Sequence, residues 1–84
     1  MRMDGKTWIY QYNGNTIEVK NGWTTELLVN GQQQDRFKGI AIASELNLRG
    51  KLESGEEIWA SFGGKIAVQC SLYINGELQT AVSE

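Results

Sequence analysis

Residues 66–79 read Ile66-Ala67-Val68-Gln69-Cys70-Ser71-Leu72-Tyr73-Ile74-Asn75-Gly76-Glu77-Leu78-Gln79. Strict alternation puts Ile66, Val68, Cys70, Leu72 and Ile74 on one side of an extended chain. Ala67, Gln69, Ser71 and Tyr73 fall on the other, which is the period of a half-buried strand. Asn75-Gly76 then reverses the chain, because both residues tolerate the positive φ that a tight type I′ turn needs at its central positions. Glu77-Leu78-Gln79 begins a short return strand, with Leu78 and Val82 as its apolar positions.

The same punctuation recurs upstream at Asn13-Gly14, Asn21-Gly22 and Asn30-Gly31. Before the first turn, residues 6–12 place Trp8, Tyr10 and Tyr12 on one face and Thr7, Ile9 and Gln11 on the other. Between the first two, Ile17 and Val19 face inward, with Thr16, Glu18 and Lys20 outward. Residues 23–29 are predicted to carry Trp23, Thr25, Leu27 and Val29 on one face, and Asn30-Gly31 then leads into the polar run Gln32 to Arg36. Downstream, Leu46, Leu48 and Leu52 approach a turn at Glu53-Ser54-Gly55-Glu56. Ile58, Ala60 and Phe62 then share a face opposite Trp59 and Ser61, and Gly63-Gly64 turns the chain once more. The stretch from Phe37 to Leu48 is open to two readings. Ile40-Ala41-Ile42-Ala43 suits a strand, the expectation adopted, whereas the run of Ala, Ser, Glu and Leu could form a helical turn or two. No proline interrupts any of this, as expected of a chain with much sheet and little loop.

The pattern predicts a single all-β domain over residues 1–84. It is a meander of about seven or eight antiparallel strands forming a small sandwich or a partly open barrel. The expected core is Ile17, Val19, Leu27, Val29, Leu48, Leu52, Ile58, Phe62, Ile66, Val68, Cys70, Leu72 and Ile74. There is also an internal echo: residues 26–34 and 71–79 are both an apolar strand, an Asn-Gly turn and a polar return. Any two hairpins share that outline. The sharper reading is a pseudo-symmetric pair of hairpins, one per half, packed face to face.

With 84 residues and 40% apolar composition, only about 60% of the unfolded surface can be buried, so the core is modest and self-association is a natural supplement. The formal charge is −2 and the eight Lys and Arg residues are scattered, without the basic stripe of a nucleic-acid binder or a membrane-surface segment. Cys70 is the only cysteine, so no internal disulfide can form. The start, Met1-Arg2-Met3-Asp4, lacks an apolar leader-like stretch. These features point to a soluble protein of the reducing, cytoplasmic compartment, with neither a nucleic-acid nor a membrane partner.

The chemical inventory is thin. There is no histidine, which removes the commonest general base and metal ligand. Serine or cysteine triads and zinc sites cannot be assembled from what remains. Cys70, central in the most apolar strand, reads as a small hydrophobe rather than a reactive thiol. Glu53, Glu56 and Glu57 flank Ser54-Gly55 in a wet turn. Carboxylate catalysis there would require one of them to titrate well above the usual value of about 4.3. Gly63-Gly64-Lys65 precedes a strand rather than a helix and so lacks the context of a phosphate loop. No catalytic, cofactor-binding or metal-ligating residue is assigned.

Aromatics are the remaining signal. Trp8 and Tyr10 share one strand face, while Trp59 and Tyr73 stand opposite the clean apolar sets. Three readings are open: large residues filling both layers of a sandwich, a protein interface, or a stacking platform for a ligand. Trp59, Tyr73, Trp8 and Tyr10 are therefore the candidate interface or ligand-surface residues.

Residues 46–79 carry Leu48, Gly50-Lys51-Leu52, Ser54-Gly55, Ile58, Leu72 and Ile74-Asn75-Gly76. This stretch resembles the β modules of the Fas apoptotic inhibitory molecule family, and Val29-Asn30-Gly31 echoes the same turn earlier. The resemblance implies a compact antiparallel β fold with protein-interaction roles and no catalysis, and it transfers no functional residue. The leading expectation is a non-enzymatic interaction or structural module that self-associates, as a homo-oligomer or with a protein partner. The alternative is a sugar- or lipid-binding β domain whose concave face stacks Trp and Tyr on ligand, with the Gln32–Gln34 strand supplying amide contacts.

Overall fold

The computed structural model describes residues 5–38, 46–63 and 68–83. Among these are eight strands: β1 (Lys6–Tyr12), β2 (Asn15–Asn21), β3 (Thr25–Val29), β4 (Gln32–Phe37), β5 (Asn47–Lys51), β6 (Glu57–Gly63), β7 (Gln69–Ile74) and β8 (Glu77–Gln79). They form two antiparallel meanders, an N-terminal sheet ordered β1-β2-β3-β4 and a C-terminal sheet ordered β5-β6-β7-β8. The fold is all-β, as the alternation predicts. Residues 39–45, which include most of the ambiguous middle segment, lie outside the described residues, as does Ile66.

Three of the four Asn-Gly pairs are the turns the sequence predicts. Asn13, Asn30 and Asn75 have φ of 47°, 51° and 50°, and the glycine after each is also at positive φ. The fourth is not such a turn. Asn21 is the last residue of β2, opposite Lys6, and is buried. Its Oδ1 accepts a hydrogen bond from the Thr25 hydroxyl at 3.0 Å. The β2–β3 connection is consequently a bend over Gly22, Trp23 and Thr24, and β3 starts at Thr25. Trp23, expected on the core face, stands outside it at 73% exposure. Between β5 and β6 a five-residue connection, residues 52–56, is closed by hydrogen bonds from Leu52 N to Glu56 O and from Gly55 N to Leu52 O, both 2.9 Å. Gly55 sits there at φ 106°, which a side chain would strain.

The echo between the two halves is structural. In each sheet the third and fourth strands are the Asn-Gly hairpin, and in each the turn asparagine clamps the second strand. Asn30 donates its N–H to Thr16 O at 2.8 Å and accepts from Thr16 N through Oδ1 at 2.9 Å. Asn75 does the same to Glu57, at 2.9 and 3.0 Å.

The inner faces pack on one another. Trp8, Tyr10, Ile17, Val19, Leu27 and Val29 come from the N-terminal sheet, and Leu48, Leu52, Ile58, Ala60, Phe62, Leu72 and Ile74 from the C-terminal half. Ten of the expected core residues are there. Val68 and Cys70 are only partly buried against the cluster, and Trp8, Tyr10 and Ala60 complete it. Among the described residues, these side chains fill the space between the sheets.

Two seams join the sheets. β4 carries a bulge, because Leu27 pairs with Asp35 but Leu28 with Gln33, leaving Gln34 as the extra residue. Gln34 and Asp35 then serve the open edge of β5. Arg49 N donates to Asp35 Oδ2 at 2.8 Å and Lys51 N to Gln34 Oε1 at 3.4 Å. These side chains stand in for a missing neighbouring strand. The approach is close enough to require Gly50, where a Cβ would lie 3.0 Å from Gln34 Cβ and 3.1 Å from Leu27 Cδ2. At the opposite seam, the chain beyond β8 returns to β1. Ile9 N donates to Ser83 O at 2.8 Å, and Val82 N donates to Ile9 O at 2.7 Å. Leu78 and Val82, expected as apolar strand positions, are both exposed.

Candidate functional site

The outward face of the C-terminal sheet carries one row that crosses all four strands in register. Arg49 on β5 pairs with Trp59 on β6, Trp59 with Tyr73 on β7, and Tyr73 with Leu78 on β8. Alternation dictates this. The residues flanking Trp59, Ile58 and Ala60, are both buried, so Trp59 must point away from the core. The neighbours support one another. The rings of Trp59 and Tyr73 have centroids 5.7 Å apart at 39°. The Arg49 guanidinium carbon lies 5.0 Å from the Trp59 ring centroid. The indole N–H donates to Asn47 Oδ1 at 2.9 Å. Trp59 keeps 41% of its surface exposed and Leu78 64%. A shallow hollow of about 190 Å³ lies beside the row, lined by Arg49, Glu57, Trp59 and the Asn75-Gly76 turn among others.

The outward face of the N-terminal sheet differs in kind. The row that matches the aromatic one, counted from Asn30 as the first is from Asn75, runs Ile9, Glu18, Leu28 and Gln33 across β1 to β4, and the next row runs Thr7, Lys20, Glu26 and Arg36. The two faces therefore differ: the C-terminal one sets two aromatic rings side by side, whereas the N-terminal one mixes Ile9 and Leu28 with charged, amide and hydroxyl side chains.

Of the four candidate surface aromatics, Trp59 and Tyr73 are brought together on this face. Trp8 and Tyr10 are not on any surface, at 1% and 2% exposure. Trp8 packs edge-on to Phe62 of the other sheet, with ring centroids 6.0 Å apart at 69°. The correction has a simple origin. Alternation shows that Trp8 and Tyr10 share a face, and that face is the one the second sheet covers. Sequence reasoning did not single out Arg49 and Leu78, although their register to Trp59 and Tyr73 follows once the strands are paired. It also missed Trp23 as an exposed residue, since its side was read from the alternation of residues 23–29.

The potential chemical groups are quiet. Burial pushes the Cys70 thiol up to about 11, a shift that a hydrogen bond with Tyr10 only partly opposes. Glu56 is held below its ordinary value, chiefly by the Ser54 hydroxyl that donates to its carboxylate. That is the opposite of the displacement a general acid needs. Among the described residues no three or more Cys, Asp or Glu side chains are grouped to hold a metal ion. No helix among them is long and apolar enough to cross a membrane. No protein-family model, curated protein or solved structure matches the chain.

Proposed function

We propose that the protein is a non-enzymatic interaction module that pairs with a second copy of itself through the outer face of its C-terminal sheet. The observation that carries this reading is the in-register row Arg49, Trp59, Tyr73 and Leu78 across four strands. A small antiparallel sheet ordinarily keeps its outer face polar, and no aromatic pair lies across the outer strand registers of the N-terminal sheet. The row has a cation at one end and an aliphatic residue at the other. A two-fold axis through its middle sets Arg49 of each copy against the Tyr73 and Leu78 end of its partner. The guanidinium can then stack on a second aromatic face.

The size of the face sets the strength. Four strands spaced about 4.8 Å apart, with about six residues each at roughly 3.3 Å, give a face of about 15 by 20 Å. Two such faces bury roughly 600–900 Å², below the ~1,200–2,000 Å² of stable complexes. The dimer is therefore a weak one that dissociates on dilution. The missing histidine, the partly buried thiol with its raised pKa and the down-shifted Glu56 support a non-catalytic role. The resemblance of residues 46–79 to the interaction modules of the Fas apoptotic inhibitory molecule family agrees with it.

Light scattering across a wide concentration series tests the reading on the wild type, Trp59→Ser and Leu78→Asp. The expected result is a wild-type mass that climbs from monomer towards dimer, with both variants monomeric throughout and their circular dichroism unchanged. A wild-type monomer at the highest concentration, or variants that dimerise as well as the wild type, sinks the proposal.

A further inference from the structure

Asn-Gly shapes turns, and it is also the dipeptide most open to a spontaneous backbone reaction. Glycine carries no side chain to shield its own nitrogen, and that nitrogen can attack the carboxamide carbon of the asparagine before it. The chain holds four such pairs, at Asn13, Asn21, Asn30 and Asn75. The fold treats them differently.

Three of them share one backbone geometry. Asn13, Asn30 and Asn75 have φ of 47°, 51° and 50°, and the glycines that follow have 78°, 83° and 82°. All three asparagines are exposed. Whatever the turn conformation costs the reaction, it costs these three alike, so the freedom of the side chain ranks them. The Asn30 carboxamide is held twice: Oδ1 accepts from Thr16 N at 2.9 Å, and Nδ2 donates to Asn15 Oδ1 at 3.0 Å. The Asn75 carboxamide is held by Glu57 N, which donates to Oδ1 at 3.0 Å. Among the described residues the Asn13 carboxamide has no hydrogen-bond partner; its backbone carbonyl accepts from Asn15 Nδ2 at 3.3 Å. Asn21 stands apart from the three, since it is buried and its Oδ1 accepts from the Thr25 hydroxyl.

We propose that Asn13 is a site of deamidation in the folded protein, and that the side-chain clamps protect Asn30 and Asn75. The Gly14 backbone nitrogen gives up its proton to base and bonds to Asn13 Cγ. The Cγ–Nδ2 bond breaks and ammonia leaves, closing a five-membered succinimide. Water then opens the ring at either carbonyl, giving aspartate or isoaspartate. One water is consumed, one ammonia is released, and nothing is oxidised or reduced. To reach the glycine nitrogen the carboxamide must rotate, and at Asn30 and Asn75 rotation breaks the bonds to the neighbouring strand. Either product adds a negative charge at the tip of the β1–β2 hairpin. Isoaspartate also lengthens the backbone between Tyr12 and Asn15, where a two-residue turn has no slack.

The test incubates the wild type in mildly alkaline buffer, folded and in parallel unfolded in urea. Peptide mapping by mass spectrometry follows each asparagine over time, and circular dichroism confirms that the first sample stays folded. In urea the four sites, alike in local chemistry, are expected to react at similar rates. In the folded protein Asn13 is expected to lead. Asn75 should trail it by roughly fivefold, the factor that one ordinary hydrogen bond supplies. Asn30, held by two bonds, should be slower again, and Asn21 the slowest. Asn13→Gly keeps the turn and is expected to remove the early acidic species on isoelectric focusing. Asn15→Ala releases Asn30 Nδ2 and is expected to speed Asn30 while leaving Asn75 unchanged. Folded-state rates at Asn30 or Asn75 equal to that at Asn13 overturn the proposal. So does the same ranking in urea as in the folded protein, or an Asn13 that reacts in urea alone.

Discussion

Replacing Gly50 by alanine is expected to destabilise the protein, although the usual effect of removing a compatible glycine is the reverse. Gly50 lies on β5 on the same side as the buried Leu48, so an added Cβ points towards the N-terminal sheet. It would meet Gln34 Cβ at 3.0 Å, Leu27 Cδ2 at 3.1 Å and Gln34 Cγ at 3.3 Å. Gln34 Cβ is fixed to the backbone of the bulged β4, and Leu27 is fully buried. Neither can give way without moving a strand or the core. Overpacking of this kind costs about 1–3 kcal/mol. The entropy lost from the unfolded chain on replacing glycine returns about 0.4–1 kcal/mol. The net is a loss of about 1–2 kcal/mol, a large share of the ~4–13 kcal/mol expected for a domain of this length. Urea denaturation reads it directly. With a slope of about 1 kcal/mol per molar, the midpoint falls by roughly 1–2 M, and the melting temperature by about 6–12 °C. Leu27→Val removes the δ carbons, so the double variant is expected to lose less than the sum of the singles by about 0.5–1 kcal/mol. A neutral or stabilising Gly50→Ala, or strict additivity with Leu27→Val, refutes the claim that this seam is tight.

Cys70 is expected to resist alkylation by iodoacetamide at pH 8 in the folded protein and to react at once in urea, since burial keeps its thiol protonated. Its raised value also bears on alkaline stability. The unfolded thiol ionises near pH 9 and the folded one at about 11, so the thiol's contribution is complete below pH 9 and is lost as the pH rises to 11. The loss is of the order of 2–3 kcal/mol. Cys70→Ala should flatten that part of the stability profile relative to the wild type, and an unchanged profile would contradict it. Asn30→Gly and Asn75→Gly keep the turn geometry but remove the side-chain clamps on Thr16 and Glu57. Each should lower stability by about 1 kcal/mol and speed hydrogen exchange at the Thr16 or Glu57 amide alone. Equal acceleration at both amides in either variant would mean that the clamps are not local.

Alternation and turn chemistry are properties of a few consecutive residues, and they decided much here without help. They paired Ile17 with Val19 and Ile58 with Ala60 and Phe62 on common faces, and they set three hairpins at Asn13, Asn30 and Asn75, where positive φ is a local preference. The echo between residues 26–34 and 71–79 also marked a real correspondence, the third and fourth strands of each meander.

Tertiary structure decided what depends on distant partners. Asn21-Gly22 has the same local preference as the other pairs, but the Asn21 side chain is buried against the Thr25 hydroxyl, and a buried polar group goes where its hydrogen bond is. That choice shortened β3 and released Trp23. Alternation says which residues share a face but not which face another sheet will cover. Trp8 and Tyr10 therefore became core while Trp59 and Tyr73 became surface. The close fit of Gly50 against Leu27 and Gln34, and the return of the chain to Ile9, likewise arise only when the two sheets meet. No window of sequence contains both sides of those contacts.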